Sequence, residues 1–553
     1  MASFNKGSFT VWWTTWLILT TTATPAREAA AGVSPWRLCR RAADQSACKT
    51  IITSQLAAAA ESSKTASTPS DLLRRFLAVY AGQMTAATSR FSMVGGEVEH
   101  PRERRAFADC AELMNLSVDQ VNDAIRALEA SRRSRTADAH TYLSAVLTNH
   151  VTCTDGLTLS PAKSPIGKVL EDLISKARVA LAVVAEIRDG GNDELEEWRF
   201  PGWVKSRDRR LLRRKGKKIK ADIVVSKDGD GDYTTLKQAV EAAEEGSEKR
   251  VVIYVKEGVY NEYVEVGPEK TNLMIVGDGM NETIFTGNHN YVDNYTTFNS
   301  FTLASKGANF ILQDVGVRNT AGAKKHQAVA LRVGGDKSII NRCLIQGFQD
   351  TLYAHSLRHF YRDCTVIGTV DFIFGNAAAV FQNCTLVSRK PMESQQNMVT
   401  AQGRVDPNQN TGTSLHVCKI VPSKDLASVT DDFPTYLGRP WKNYSRTMVM
   451  ESFIDDHVDP AGWSPWSGDS YLDTLWYGEF ANLGPGSGTA KRVDWPGYHV
   501  VKKASVAARF TVANLLETED DPWVADSGVD YIEGLLNNCS SSWPAGLHEP
   551  KSN

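Results

Sequence analysis

Four short segments of this 553-residue chain repeat one pattern. They are Asn341-Arg342-Cys343-Leu344-Ile345, Arg362-Asp363-Cys364-Thr365-Val366, Gln382-Asn383-Cys384-Thr385-Leu386 and His416-Val417-Cys418-Lys419-Ile420. In each, an aliphatic residue follows the cysteine by two positions. Cys343, Cys364 and Cys384 are spaced by 21 and 20 residues. A period near twenty with short strands marks a solenoid, whose units bury their apolar faces by stacking. The pattern predicts a parallel β-helix, each turn lying on the last. A β-sandwich with accidental spacing is the weaker alternative.

The rest of the chain divides around this repeat. Beyond about residue 221, short β-rich runs are separated by Gly, Asn and Asp: Val251–Val255, Leu273–Val276, Asn309–Val317 and Ala328–Val333. Residues from about 36 to 188 read as helical. Apolar residues at 170, 173, 174, 177, 181, 184 and 187 form one helix face. Ser117-Val118-Asp119-Gln120 has the capping-box pattern and is expected to open another helix through Val121, Ile125 and Leu128. Cys39 and Cys48 could staple a short hairpin, and Cys110 and Cys153 could tie two helices together. This region carries no catalytic cluster.

Targeting signals frame these two parts. Val11–Leu19 is apolar but far short of the ~20 residues that span a bilayer, so residues 1–31 are expected to be a cleaved signal peptide. No segment reads as a stable membrane span. Nine cysteines and six N-x-S/T sequons fit an oxidising, secreted setting. No CxxC pair occurs, which argues against a zinc ribbon. The formal net charge of -2 argues against a nucleic-acid partner. Residues 189–220 read as a linker, and residues 205–220 hold ten Lys/Arg. Arg209-Arg210-Leu211-Leu212 within it is expected to be an exposed processing site.

The repeat also places chemistry. Asp350 and Asp371 each lie seven residues after a repeat cysteine, Cys343 and Cys364. In register, they occupy equivalent places on neighbouring coils, ~4.8 Å apart. Two carboxylates that close cannot both ionise freely, so one pKa is expected to rise while the other stays low. An acid and a nucleophile need that difference. The plainer alternative makes both of them turn aspartates that satisfy backbone donors.

At this point the residues match a family. Segment 343–376 (CLIQGFQDTLYAHSLRHFYRDCTVIGTVDFIFGN) resembles plant pectinesterases, the pectin methylesterases. So do GVYNE (258–262), HQAVAL (326–331), TAQGR (400–404), LGRPW (437–441) and the opening VVSKDGDGDYTTLKQAV (224–240). The helical region resembles the pectinesterase-inhibitor module, although CRRAADQSAC (39–48) lacks the usual Thr and Tyr-Pro. Phe348 replaces a usual Tyr. The resemblance implies an all-β right-handed parallel β-helix over 221–553, preceded by an all-α four-helix-bundle pro-domain over 32–188.

It further implies hydrolysis of methyl esters of polygalacturonate, releasing methanol, in the cell wall. By resemblance Asp371 is the nucleophile and Asp350 the acid and then the base. Gln327 and Gln349 stabilise the oxyanion, and Arg439 holds Asp371 ionised. Trp441 and Thr297 contact the sugar, together with Gln327 and Arg439. No cofactor or metal is implied. The implied partners are pectin, a subtilisin-like protease acting at Arg209–Leu212, and inhibitor proteins.

Other routes fit less well. The chain has no GxSxG elbow and no HExxH. Asp228–Asp232 begins like a calcium loop but has Tyr233 where Gly is needed. A retaining glycosidase could use carboxylates ~5 Å apart on the same scaffold. A fused inhibitor module on an inactive solenoid is a second rival. Adjacent strand residues point to opposite faces, so Gln349 and Asp350 reach one cleft only if the chain turns there. Cysteine pairing in this half stays open between Cys343–Cys364, Cys364–Cys384 and Cys384–Cys418.

Overall fold

A computed structural model describes residues 34–61, 68–130, 133–157, 165–188, 220–517 and 521–536. The signal peptide expected over 1–31 and the processing stretch at Arg209–Leu212 lie outside the described residues, as do Asn538 and Cys539.

The first part is helical, as expected. Its elements are α1 (Pro35–Leu38), α2 (Gln45–Glu61), α3 (Pro69–Glu97), α4 (Pro101–Glu129), α5 (Arg133–Gly156) and α6 (Pro165–Arg188). The bundle consists of α3 to α6. Thr68 caps α3 by accepting a hydrogen bond from the Asp71 N–H at 3.1 Å, with Pro69 at the first helical position. The apolar face read from 170 to 187 lies on α6, where Leu170, Leu173, Ala177, Leu181 and Val184 are buried. A Cys39–Cys48 disulfide closes the hairpin of α1 and α2, and Cys110–Cys153 joins α4 to α5.

One helical expectation is corrected. Ser117 opens no helix; it lies inside α4. Its hydroxyl donates to the Leu113 carbonyl at 2.7 Å, one turn back. A buried serine can satisfy itself this way in mid-helix, so its pattern with Gln120 marks no boundary.

From Ile223 onwards the strands form three parallel sheets of 11, 7 and 8 strands. Each central coil adds one strand to each sheet, and the ends of the stack extend the largest sheet alone; this is the β-helix expected. Successive coils are in register: Asn341 pairs with Arg362, Arg362 with Gln382 and Gln382 with His416. On the other side of the cysteines, Leu344 pairs with Thr365, Thr365 with Thr385 and Thr385 with Lys419. The residue before each cysteine (Arg342, Asp363, Asn383, Val417) has φ between 52° and 56°. That left-handed residue turns the chain from one sheet to the next. Inside, the aliphatics Ile345, Val366, Leu386 and Ile420 stack in one core, and the rings of Tyr361 and Phe381 lie 4.2 Å apart.

The run read as Asn309–Val317 is two strands, Ile311–Gln313 and Gly316–Asn319, because Asp314 turns the chain with φ 55°. Val512, Leu516, Trp523 and Val524 near the C-terminus cover Phe360 and Val380 on the outer face of the largest sheet. No described helix is long and apolar enough to cross a membrane.

Candidate active site

The two aspartates sit where the repeat predicts. Asp350 follows the strand Leu344–Gln346, and Asp371 follows Thr365–Gly368, which pairs with it in register. Both occupy turns with positive φ, 62° and 52°. The Asp350 N–H donates to the Val370 carbonyl at 3.0 Å, and the Ala328 N–H donates to the Gln349 carbonyl at 3.2 Å. Residues 327–328, 349–350 and 370–371 therefore stack as one column on three successive coils. The chain turns at Gln349 and Asp350, which removes the objection that neighbouring strand residues face opposite ways.

Arg439 reaches this column from a fourth coil. Its strand, Thr435–Gly438, delivers it, and its N–H is fixed on the Thr400 carbonyl at 3.0 Å. Its Nε and Nη2 donate to the two carboxylate oxygens of Asp371 at 2.8 and 2.7 Å. This fork matches a carboxylate geometrically and favours the ionised form. Asp350 is pushed well above the usual carboxylate range by burial first and by the neighbouring Asp371 second. Burial raises Asp371 as well, against the opposing hydrogen bonds and charge of Arg439. So neither carboxyl stays low, contrary to the simplest expectation. The asymmetry has the expected sense, because the guanidinium engages Asp371 directly and a shared proton settles on Asp350.

The amides flank the acids. Gln327 and Gln349 are half-buried on adjacent coils, and their carbonyls accept from Tyr291 and Ala328. Among the described residues, neither side-chain amide has a hydrogen-bond partner, which leaves both free to donate. Trp441 stands edge-on to Phe374 at 5.9 Å. A Cβ at Gly403 would lie 2.8 Å from the Trp441 ring, so TAQGR needs glycine there to admit the indole. Thr297 is half-buried, and no contact ties it to the acids; the next turn holds it through its carbonyl, which accepts from Ser300 Oγ at 3.1 Å.

Sequence reasoning missed several neighbours. Trp466 lies under the guanidinium of Arg439, 4.4 Å from carbon to ring centre. Tyr353 and Phe374 pair in register on the strands just after the two acids, with rings 4.2 Å apart. Their separation of 21 residues, the period of the cysteines, was the available signal.

The helical domain is seated on this face. Tyr353, Phe374, Phe298, Phe301 and Val405 share one apolar cluster with the interior of the bundle, and Trp441 packs against it. Thr152 on α5 bonds His355 at 3.0 Å, and Asp155 pairs with Lys442 at 2.6 Å. Asp109 on α4 accepts from Thr296 and Asn299. Asp138 pairs with the buried Arg358 at 2.9 Å, and Gln409 donates to the Ser144 carbonyl at 2.9 Å. With the bundle in place, Asp350 and Asp371 are 7% and 5% exposed. Among the described residues, no cluster of three or more His, Cys, Asp or Glu gathers to hold a metal ion.

Known proteins match both halves. The family described as Pectinesterase matches residues 222–519, and the family described as Plant invertase/pectin methylesterase inhibitor matches residues 36–183. The chain is 52% identical to Pectinesterase 2.2 of Solanum lycopersicum over 505 residues, 90% of each protein. It is 51% identical to a Pectinesterase/pectinesterase inhibitor of Ficus pumila var. awkeotsang over 473 residues, 84% of this chain and 86% of that one. Among solved structures, the pectin methylesterase from carrot is 49% identical, with a TM-score of 0.57, and aligns over 58% of this chain and all of its own. The chain belongs to the pectinesterase family, as an ester hydrolase of pectin with an inhibitor-type helical domain ahead of its β-helix.

Proposed function

We propose that Asp371 attacks the methyl-ester carbonyl of polygalacturonate while Asp350 supplies the proton that leaves with methanol. The observation that carries this reading is the column of Asp350 and Asp371 on adjacent coils, with Arg439 on both oxygens of Asp371 alone. An ionised Asp371 adds to the carbonyl, and the oxyanion takes hydrogen bonds from Gln327 and Gln349. Neutral amides suit this task because they stabilise the oxyanion without drawing charge from the nucleophile; one such donor is worth roughly 3 kcal/mol. Collapse expels methanol, protonated by Asp350, and leaves an acyl anhydride on Asp371. Asp350, now ionised, takes a proton from water, which opens the anhydride and frees the galacturonate carboxylate. One difficult step becomes two easier ones. Thr297, Trp441 and Arg439 contact the sugar in this reading.

The full-length chain is latent in the same reading. The bundle occupies the aromatic face beside the acids, where a polysaccharide has to lie. Cutting at Arg209–Leu212 by a subtilisin-like protease would separate the domains, 32–188 from 221–553, with 189–220 as the linker. Secretion to the cell wall, with inhibitor proteins as further partners, completes the picture.

Trapping tests the assignment. A chain beginning near Ala221 is incubated with methylated oligogalacturonate and hydroxylamine, then mapped by mass spectrometry. An aspartyl hydroxamate at Asp371 is the expected mark. A mark at Asp350 instead, or none at either residue while substrate turns over, contradicts the proposal.

A further inference from the structure

A second group of rings lies beside the acids, on a loop that takes no part in the chemistry proposed above. Residues 288–299 follow the strand Thr283–Gly287 and extend the column of acids and amides by one coil. The Tyr291 N–H donates to the Gln327 carbonyl at 2.9 Å, as the Ala328 N–H donates to the Gln349 carbonyl. With coils ~4.8 Å apart, Tyr291 stands about 10 Å from the turn of Asp350 and about 14 Å from that of Asp371. The loop then runs on through Tyr295 and Thr297 to Phe298, which belongs to the aromatic face under the bundle.

The loop holds its rings in place. Tyr263, His289 and Tyr295 stack with ring centres 3.4 and 3.8 Å apart and planes within 16° of each other. Tyr263 Oη donates to Asn288 Oδ1 at 2.8 Å, and the His289 carbonyl accepts from Asn319 Nδ2 at 2.9 Å. Asn290 Oδ1 accepts from the Asp293 N–H at 2.9 Å, and its Nδ2 donates to the Asp293 carboxylate at 2.6 Å. Lys325 pairs with the same carboxylate at 2.6 Å and offsets its charge.

The bundle covers these rings with flat cations. Arg105 of α4 lies 3.9 Å from the centre of the Tyr295 ring, on the face that His289 leaves free, and donates to the Asn294 carbonyl at 2.7 Å. Arg102 lies 3.8 Å over Tyr291, which is still 37% exposed. A guanidinium is one group that stacks on a tyrosine face; the apolar face of a pyranose is another. We propose that, once the bundle leaves, Tyr291 and Tyr295 form a distal subsite that stacks on neutral, methylated galacturonate units of the substrate chain. The subsite deepens the function proposed above and rests on it for the place of the scissile ester and for release of the bundle. Its continuity with the column at Gln327 names the occupant: a polysaccharide held at the acids has its next units within reach of this loop.

The experiment starts from the full chain, so that the β-helix folds in its own context. The chain is cut in the linker, the halves are separated, and the β-helix half is assayed on highly methylated pectin. Tyr291→Ala/Tyr295→Ala should raise KM roughly 3- to 10-fold, the loss of one to two ring contacts, with kcat unchanged. Tyr291→Phe/Tyr295→Phe keeps both ring faces and should have the wild-type KM. Since kcat reports on Asp371 and Asp350, a failure of the proposed chemistry shows there, whereas a failure of the subsite shows in KM. An unchanged KM in the alanine variant overturns the proposal, and so does an equal rise in the phenylalanine variant. A fall in kcat without a rise in KM also overturns it, because the loop would then serve only to support Gln327. Weaker association of the cut halves with KM unchanged would make the rings a docking surface for the bundle alone, and counts against it equally.

Discussion

Arg439 holds both carboxylate oxygens of Asp371 and neither oxygen of Asp350, although the two acids lie on adjacent coils. In the proposed mechanism the guanidinium thereby decides which acid attacks and which carries the proton. Removing it should reveal that role. Arg439→Ala takes away the hydrogen bonds and the charge that lower Asp371 against its burial, so its pKa rises further above the ordinary value. Activity needs Asp371 ionised, and the acid limb of the kcat/KM profile should move to higher pH. At the optimum a loss of roughly 10²-fold is expected from misplacement alone. A pH–rate profile of the variant checks both.

In the proposed mechanism the amide donors of Gln327 and Gln349 act on the oxyanion and much less on the ground state. Gln327→Ala and Gln349→Ala should each lower kcat by roughly 10²- to 10³-fold. KM should change little. Steady-state methanol release on methylated pectin measures the split.

Docking of the helical domain should depend on pH. Asp109 is raised to about 7 by burial first; Glu112 adds to the rise, while Thr296, Arg332 and Asn299 oppose it. The docked state therefore binds a proton that a released, solvated Asp109 gives up in the ordinary carboxylate range. This contribution to docking is full below the ordinary carboxylate range, fades as pH rises from there to about 7, and adds nothing above. His355 works oppositely. Burial lowers it first, with help from Arg332 and His359, so docking favours its neutral form and weakens as pH falls below the ordinary histidine range. Sedimentation of chain cut in the linker should show association that varies with pH below about 7, and Asp109→Asn should remove the part that weakens as pH rises, leaving docking that only strengthens with pH through the histidine range.

The core of the solenoid is tight at its centre. Phe381 is fully buried and stacks on Tyr361. Phe381→Ala should destabilise the β-helix by about 3–5 kcal/mol, through lost burial and the cavity left behind. Denaturant unfolding monitored by tryptophan fluorescence would measure it.

Much of this was legible in the chain because a solenoid writes its geometry in one dimension. The cysteines and the aliphatics after them recur because each coil must bury the same place, and Asp350 and Asp371 inherit that register. What was hidden depends on the third dimension. Ser117 carries the sequence of a helix cap, yet its hydroxyl turns back to Leu113 once the helix runs through it. The docking face could not be read, because Asp109 meets Thr296 and Thr152 meets His355 across about two hundred residues of sequence. The rise of Asp371 was missed for the same reason. Its pairing with Arg439 was legible by resemblance, but its burial depends on the surrounding fold.

Asp371 as the attacking group is the centre of the proposed mechanism. Methanol release from methylated pectin should be compared between wild type and Asp371→Asn, each in a chain beginning near Ala221. A loss of at least ~10⁴-fold is predicted, with the fold intact by circular dichroism. Activity in Asp371→Asn equal to that of wild type would contradict it.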